Sequence, residues 1–340
     1  MRKIKIGFAD FYNGFDPEHY FITELLSAHF DVEITDDPDY LFYSVFGDTH
    51  LRYDCIRIFY TGENQSPDFN LCDYAIGFDH LQFGDRYFRL PIHYLYKEDS
   101  LAMERRHLTP DSEFLSREGF CSFVYSNNRA SAVRNRFFDM LSAYRPVASG
   151  GRFRNNVGGP VEDKVAFQRQ YRFCIAFENS SYPGYTTEKL VQAFASGAIP
   201  IYWGDPEVER VFNGAAFINC HRYASFEEVV EEVKRLDADP DAMLRMLHEP
   251  ALADASCSSD EVMGRLEDFL VSIVSQPLDR AVRFNRVYWG ERYLEQERRK
   301  ARAYSHTARG VMESFYKKTL WKVRQNNRFF WFIDRLFKRK

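Results

Sequence analysis

Apolar runs of strand length alternate, as far as residue 275, with stretches in which apolar residues return every three or four positions. Residues 4–8, 40–46, 56–60 and 74–78 read as strands, and residues 18–30 as a helix with Phe21, Leu25, Leu26 and Phe30 on its apolar side. Residues 97–119 break into charges without period and read as a surface loop. A strand at 121–125 and a helix at about 131–144 follow, the helix turning Val133, Phe137, Met140 and Leu141 inward. Residues 149–160, rich in glycine and asparagine, read as an interdomain connection. The clearest unit comes next. Residues 171–177 form an apolar, β-prone run that ends in a polar loop from Glu178 to Tyr185, broken by Pro183-Gly184. Thr186 and Thr187 can cap a helix with Leu190, Val191, Phe194 and Ala195 on one face, Gly197 stops it, and residues 198–203 return as a second apolar run. This is a βαβ unit of a parallel sheet. A strand at 216–218 and helices at 225–236, 240–247 and 259–275 complete the pattern, which predicts two doubly wound α/β domains facing one another.

Composition adds three constraints. At 340 residues the chain has room for two ordinary domains. No run of 18 uncharged apolar residues occurs, and Met1-Arg2-Lys3 leads straight into the first strand, so the chain is expected to start in the cytoplasm. Cys55, Cys72, Cys121, Cys174, Cys220 and Cys257 are scattered without a C-x-x-C pair and read as reduced residues, neither a disulfide framework nor a zinc site. Charge is uneven: residues 311–340 carry nine Lys or Arg against Glu313 and Asp334, a balance of +7, so the overall −4 leaves −11 for the rest. That tail also holds Trp321, Phe329, Phe330, Trp331 and Phe337, the mixture an interfacial helix needs on an anionic membrane. An acidic body argues against a nucleic-acid partner.

Candidate chemistry collects at strand ends, where parallel sheets bind ligands and helix N-termini receive anions. Lys189 falls in the first turn of its helix and Arg134 near the start of another, both where the helix dipole prefers an acid, so an anionic partner is expected. Glu188 is favourable there on dipole grounds alone. Strand 56–60 runs out into the polar loop Thr61-Gly62-Glu63-Asn64-Gln65-Ser66-Pro67. There is no G-x-G-x-x-G after a strand and hence no dinucleotide site. Asp37-Pro38-Asp39 and Asp237-Ala238-Asp239 read as turn and cap residues, and the nine histidines show no metal-ligand spacing, so no catalytic metal and no cofactor are expected.

These residues carry a resemblance. FENSSYPGYTTEKLVQAFASGAIPIYWGDP (residues 177–206) resembles the donor-binding signature of the α1,3/α1,4-fucosyltransferases. FYTGENQSPDFNLCDYAIGFDHL (59–81) and SGGRFRNNVG (149–158) are similar to its bacterial members, which make Lewis-antigen structures. The resemblance runs in order from about residue 36 to 218. It implies a glycosyltransferase B fold with an N-terminal acceptor-binding Rossmann-like domain (1–148), a C-terminal GDP-fucose-binding one (149–275), a helical connection (276–310) and the membrane-associating amphipathic tail (311–340). It further implies inverting transfer from GDP-β-L-fucose to the 3-OH, or 4-OH, of N-acetylglucosamine in an N-acetyllactosamine-type glycan on lipopolysaccharide or another surface glycan. Position by position, Arg134 and Lys189 would meet the diphosphate, Glu188 a ribose hydroxyl, Asn179 and Tyr185 would lie nearby, and Glu63 would be the base. The seven-residue tandem repeats of some bacterial relatives are missing, which leaves monomer or homodimer open. Two rivals stand beside this reading: the same architecture with another nucleotide sugar, and a non-enzymatic membrane-associated glycan-binding protein.

Overall fold

The structure, a computed structural model, describes residues 1–126 and 131–315, leaving aside the side chains of residues 309 and 313–315. It is an α/β protein built on two sheets. The first contains β1 (Lys3–Ala9), β2 (Asp31–Ile34), β3 (Tyr40–Tyr43), β4 (Ile56–Tyr60), β5 (Tyr74–Gly77) and β6 (Tyr87–Arg89), in the order β2-β1-β3-β4-β5-β6. In it β1 runs parallel to both β2 and β3, and β3 parallel to β4. The second holds β7 (Gly119–Phe123), β8 (Val147–Ser149), β9 (Tyr171–Phe177), β10 (Ile199–Trp203) and β11 (Ile218–Asn219), all parallel, in the order β11-β10-β9-β7-β8.

Counted from its first strand, the second sheet has the order 2-1-3-4-5, and the first has the same order with β6 added as a sixth strand. The chain steps to one side of the first strand and then crosses to the other. The gap beside the first strand, where the crossovers diverge, is the place such sheets keep for ligands. It lies between β1 and β3 in the first sheet and between β7 and β9 in the second.

The second sheet is buried on both faces, which is why its strands read as continuous apolar runs. Phe173, Ile175 and Phe177 of β9 face one cluster with Phe137, Leu141, Val233 and Leu247, while Cys174 and Ala176 face another with Leu190, Phe194 and Met103. Helix 188–195 carries its apolar residues at the predicted positions, Leu190, Val191, Phe194 and Ala195, all buried. Helices Phe226–Asp237, Pro240–His248 and Ser259–Ser275 also fall where the pattern puts them. Asp239 caps the second of these by accepting Ala242 N–H at 2.9 Å, as the turn-and-cap reading requires.

Three readings of the sequence need correction. Residues 97–119 are not a loop: helices Lys97–Glu104 and Asp111–Leu115 bury one apolar residue each, Met103 and Phe114, too few to leave a periodic signal. Two buried arginines tie the segment down. Arg106 donates to Ala216 O (2.9 Å) and Met246 O (2.8 Å), and Arg117 to Tyr171 O (3.2 Å). Residues 149–160 do not connect domains, nor does a boundary fall at 148: β7 and β8 already belong to the second sheet. The compact units are 1–60 with Pro67–Ala75 and the described chain from Val271 on, and Thr61–Ser66 with Ile76–Leu270. Helix 18–30 shortens to Phe21–Ser27 with Ile22 and Leu26 as its buried apolar residues. Helices Leu278–Ala281 and Trp289–Ser305 occupy the expected helical connection, whereas the membrane assignment of 311–340 falls almost wholly outside the described residues. No described helix is long and apolar enough to cross a membrane, and all six cysteines are free thiols.

Candidate functional site

The second unit's switch point, between the ends of β7 and β9, is organised by Glu178. It is the first residue after β9 and is fully buried. Its carboxylate accepts the backbone N–H and the hydroxyl of Thr187, both at 2.7 Å, and pairs with Lys189 Nζ at 3.2 Å. Thr187 does stand at the N-cap of helix Glu188–Ala195, but its own side chain makes no capping bond. The carboxylate from the neighbouring strand satisfies that end of the helix instead, where negative charge is favoured. Gly204 leaves room for it, since a Cβ there would lie 2.4 Å from Glu178 Cγ.

Lys189 is accordingly not a solvated lysine. Nζ also donates to Thr187 Oγ1 (2.9 Å) and lies 3.3 Å from Glu188 Oε1. Burial works against its charge, yet Glu178 and Glu188 outweigh burial and raise its pKa above the ordinary lysine value. Much of the anionic compensation expected of a ligand is thus supplied by the protein. Burial raises the Glu178 carboxyl despite Lys189. Burial also acts on Glu188, but Lys189 and Lys164 hold that carboxyl below its usual range.

Arg134 belongs to helix Ala132–Ser142, whose N-cap Ser131 accepts Val133 N–H. Far from being an exposed helix arginine, it is 1% exposed, with its guanidinium 4.0 Å over the ring of Tyr125. The Tyr125 hydroxyl accepts Phe177 N–H at 2.7 Å and donates to Ile175 O at 2.9 Å, so the platform for Arg134 is pinned to the end of β9. Arg134 Nη1 donates to Asn179 Oδ1 (3.3 Å), and Asn179 O accepts Ser131 N–H (2.9 Å). Burial lowers the Arg134 pKa, with Glu178 among the charges opposing that shift.

Tyr185 is buried with its ring 5.2 Å from Phe78, and burial, with the charges of Glu178 and Glu63, raises its pKa. The turn before it is held by buried Asp205, which accepts Gly184 N–H (2.8 Å) and the Thr186 hydroxyl (3.2 Å). Glu63 is exposed, and its carboxylate makes no hydrogen bond or ion pair among the described residues. Its loop, part of the same unit, is fastened to the loop after β9: Asn64 Nδ2 donates to Ser180 Oγ at 2.7 Å, and Ser66 Oγ lies 3.5 Å from the Tyr182 hydroxyl.

The structure gathers Arg134, Asn179, Tyr185, Glu188 and Lys189 around one residue the sequence reading missed, Glu178. A signal was available: an acid directly after a strand buried on both faces cannot be solvated as a surface residue would be. Among the described residues no group of three or more His, Cys, Asp or Glu side chains could hold a metal ion.

A parallel α/β protein with one buried and one half-buried cation beside a helix N-terminus at a switch point fits the anion-binding end of a transferase. Comparison with known proteins is specific. Residues 6–96 match the Alpha-(1,3)-fucosyltransferase FucT N-terminal domain, and residues 115–248 match the Glycosyltransferase family 10 (fucosyltransferase) C-terminal domain. The chain belongs to that family. It is 39% identical over 271 residues to Alpha-(1,3)-fucosyltransferase FucT of Helicobacter pylori, covering 68% of this chain and 56% of that protein. It is 25% identical over 226 residues to the Putative fucosyltransferase R654 of Acanthamoeba polyphaga mimivirus, covering 62% and 36%. The chain therefore spans about half and about a third of the lengths of these two relatives. A crystal structure of an α1,3-fucosyltransferase with GDP-fucose superposes with a TM-score of 0.67 at 32% identity, covering 79% of this chain and 91% of that one. The corresponding structure with GDP gives 0.67 at 31%, covering 79% and 90%.

Proposed function

We propose that this protein transfers L-fucose from GDP-β-L-fucose to the 3-OH, or 4-OH, of N-acetylglucosamine in an N-acetyllactosamine-type glycan. The glycosyltransferase B arrangement of the family, with acceptor and donor on separate Rossmann-like domains, is part of this reading. One observation carries it most: the Asn64–Ser180 bond at 2.7 Å ties the loop of the free carboxylate Glu63 to the loop that leads into the Lys189 helix. A base and a cationic cradle on adjoining loops are what a displacement at a sugar carbon needs.

A β-linked donor giving an α-linked product requires inversion, hence a single displacement through an oxocarbenium-like transition state. Glu63 takes the proton of the attacking hydroxyl as its oxygen bonds to the anomeric carbon. The bond to the diphosphate breaks with its electron pair, and the growing negative charge meets Arg134, Lys189 and the N–H groups that open helix 188–195. Glu188, held ionised by Lys189, accepts from a ribose hydroxyl. The charge is assigned to these groups, and the scheme calls for no metal. The acceptor is taken to lie on lipopolysaccharide or another surface glycan, with residues 311–340 holding the enzyme on the inner face of the cytoplasmic membrane.

Glu63→Gln is expected to lower kcat by roughly 10²- to 10⁴-fold while GDP affinity stays within about twofold. Near-normal turnover with GDP-fucose and N-acetyllactosamine would remove Glu63 from the role. Incubation with paired type 1 and type 2 disaccharides, read by NMR, assigns the linkage.

A further inference from the structure

The first sheet opens with the same 2-1-3-4-5 strand order as the second, and its β1/β3 switch point is also built, though nothing above uses it. Asp10 follows β1 directly, with a positive φ of 59° that a non-glycine residue adopts only where its surroundings enforce it. The surroundings are visible. Asp10 O accepts Phe46 N–H at 2.9 Å, and the side-chain oxygens accept the backbone N–H groups of Thr49 and His50, both at 2.9 Å. Gly47 gives way to the carboxylate, since a Cβ there would lie 2.3 Å from Asp10 Oδ1.

Asp10 Oδ2 also lies 2.7 Å from His50 Nδ1. A carboxylate only accepts, so Nδ1 carries a proton, and in the neutral form of the ring Nε2 presents the lone pair. The ring is fixed from its face as well, stacked on Tyr43 at 4.1 Å and 14°. Its side chain is 11% exposed against 3% for Asp10, and Nε2 has no hydrogen-bond partner among the described residues. Asp10 is thus an orienting group and His50 an oriented acceptor open at one atom. Two exposed aromatic residues stand close to Asp10 along the backbone: Tyr12, two residues beyond it, 52% exposed and edge-on to Phe15, and Phe46, bonded to Asp10 through its backbone and 39% exposed.

The geometry points to a sugar-binding subsite at the β1/β3 switch point, in which His50 Nε2 accepts a hydroxyl proton of the acceptor glycan and Tyr12 and Phe46 cover its apolar faces. Exposed rings beside a fixed hydrogen-bond acceptor suit a neutral polyhydroxylated ligand. Asp10 and Asp48 at the same strand ends disfavour a phosphate. The identity of the glycan rests on the fucosyl-transfer reading, whereas binding of a sugar here does not.

The test uses the full chain and N-acetyllactosamine without donor. His50→Phe keeps the stack on Tyr43 and leaves Asp10 its two backbone donors, so it removes little besides the ring nitrogens. Tyr12→Ala alters an exposed side chain and leaves the turn alone. Each is expected to weaken disaccharide binding, by saturation-transfer NMR and by acceptor KM, about tenfold, the size of one net hydrogen bond or ring contact. GDP affinity on the same preparations reports that the variants are folded. In the unaltered protein the ¹⁵N resonance of His50 Nε2 should shift on titration with the disaccharide. Unchanged disaccharide affinity in both variants, or a His50 resonance that does not move at saturation, overturns the subsite. Sugar binding lost in the variants of a protein that turns over no GDP-fucose would sustain the subsite and defeat only the fucosyl-transfer reading.

Discussion

Glu178 is the residue on which the donor-side geometry turns, and Glu178→Gln isolates its charge. The amide is nearly isosteric. Its oxygen can still accept Thr187 N–H, now 2.7 Å from Oε1, but its NH₂ must then face Lys189 Nζ, which lies 3.2 Å from Oε2. Two donors oppose one another in a place with no solvent, beside a lysine whose side chain is 13% exposed. Removing one partner of a buried pair costs about 3–5 kcal/mol, and the low end, about 3 kcal/mol, applies because Lys189 keeps Glu188 at 3.3 Å and Thr187 Oγ1 at 2.9 Å.

A ligand should offset part of that loss. If Lys189 meets the diphosphate of GDP, the ligand restores a counter-charge that the variant lacks and the unaltered protein has to share. Urea unfolding of both proteins, without GDP and at one shared GDP concentration about 100 times the Kd of the unaltered protein, reads the difference. GDP should stabilise the unaltered protein by about 2.7 kcal/mol. The variant's deficit should shrink from about 3 kcal/mol to about 1.5 kcal/mol, one charge-assisted hydrogen bond. A deficit that is the same or larger with GDP would show that Lys189 does not reach the phosphates. No deficit in either condition would show that Glu178 does not organise the site.

Two further outcomes are expected. His93 is 1% exposed between Tyr94 and Phe212, neither ring nitrogen meets a hydrogen-bond partner among the described residues, and burial pushes its pKa down to about 3. Below pH 6.5 the unfolded chain takes up a proton that the folded one refuses, so this stability is full above 6.5 and falls as pH drops toward 3. His93→Phe should remove about 2 kcal/mol of the loss between pH 7 and pH 5 in chemical denaturation, and an unchanged slope would contradict it. Truncation before Val311 should abolish co-sedimentation with vesicles containing anionic lipid and leave GDP affinity intact. Persistent vesicle binding would place the membrane contact elsewhere.

How much the sequence shows depends on how local the cause is. The βαβ unit from β9 to β10 was legible because a seven-residue strand with five buried residues, a breaker and a helix with period 3.6 lie in one continuous stretch. Arg134 and Lys189 stand out as local misfits against a helix dipole, and the structure sets Lys189 against Glu178 and Arg134 against Asn179, the next residue. Their burial was not legible, because it comes from Tyr125, Asn179 and Glu178, which reach them across strands or turns. β2 and β6, with four and three residues and no fully buried position, are too short for any periodicity to register. They are found only through pairing.

The switch point is the extreme case. It is defined by strand order alone, and strand order is a fact about residues far apart in the chain. Asp10 and His50 are separated by 40 positions, and neither looks unusual where it stands. Asp10 and Glu178 are each an acid directly after a seven-residue strand, Asp10 after β1 and Glu178 after β9. What distinguishes both is that the first or third strand of a 2-1-3-4-5 sheet ends there, where diverging crossovers leave backbone groups and side chains facing an open edge. The two acids then do comparable work: Glu178 fixes the Lys189 ammonium, and Asp10 fixes the His50 ring. A search for polar residues directly after the first and third strands of each sheet would have returned Asp10, Ser44 and Glu178, since β7 is followed by Val124, and this set contains Asp10 of the first switch point and Glu178 of the second.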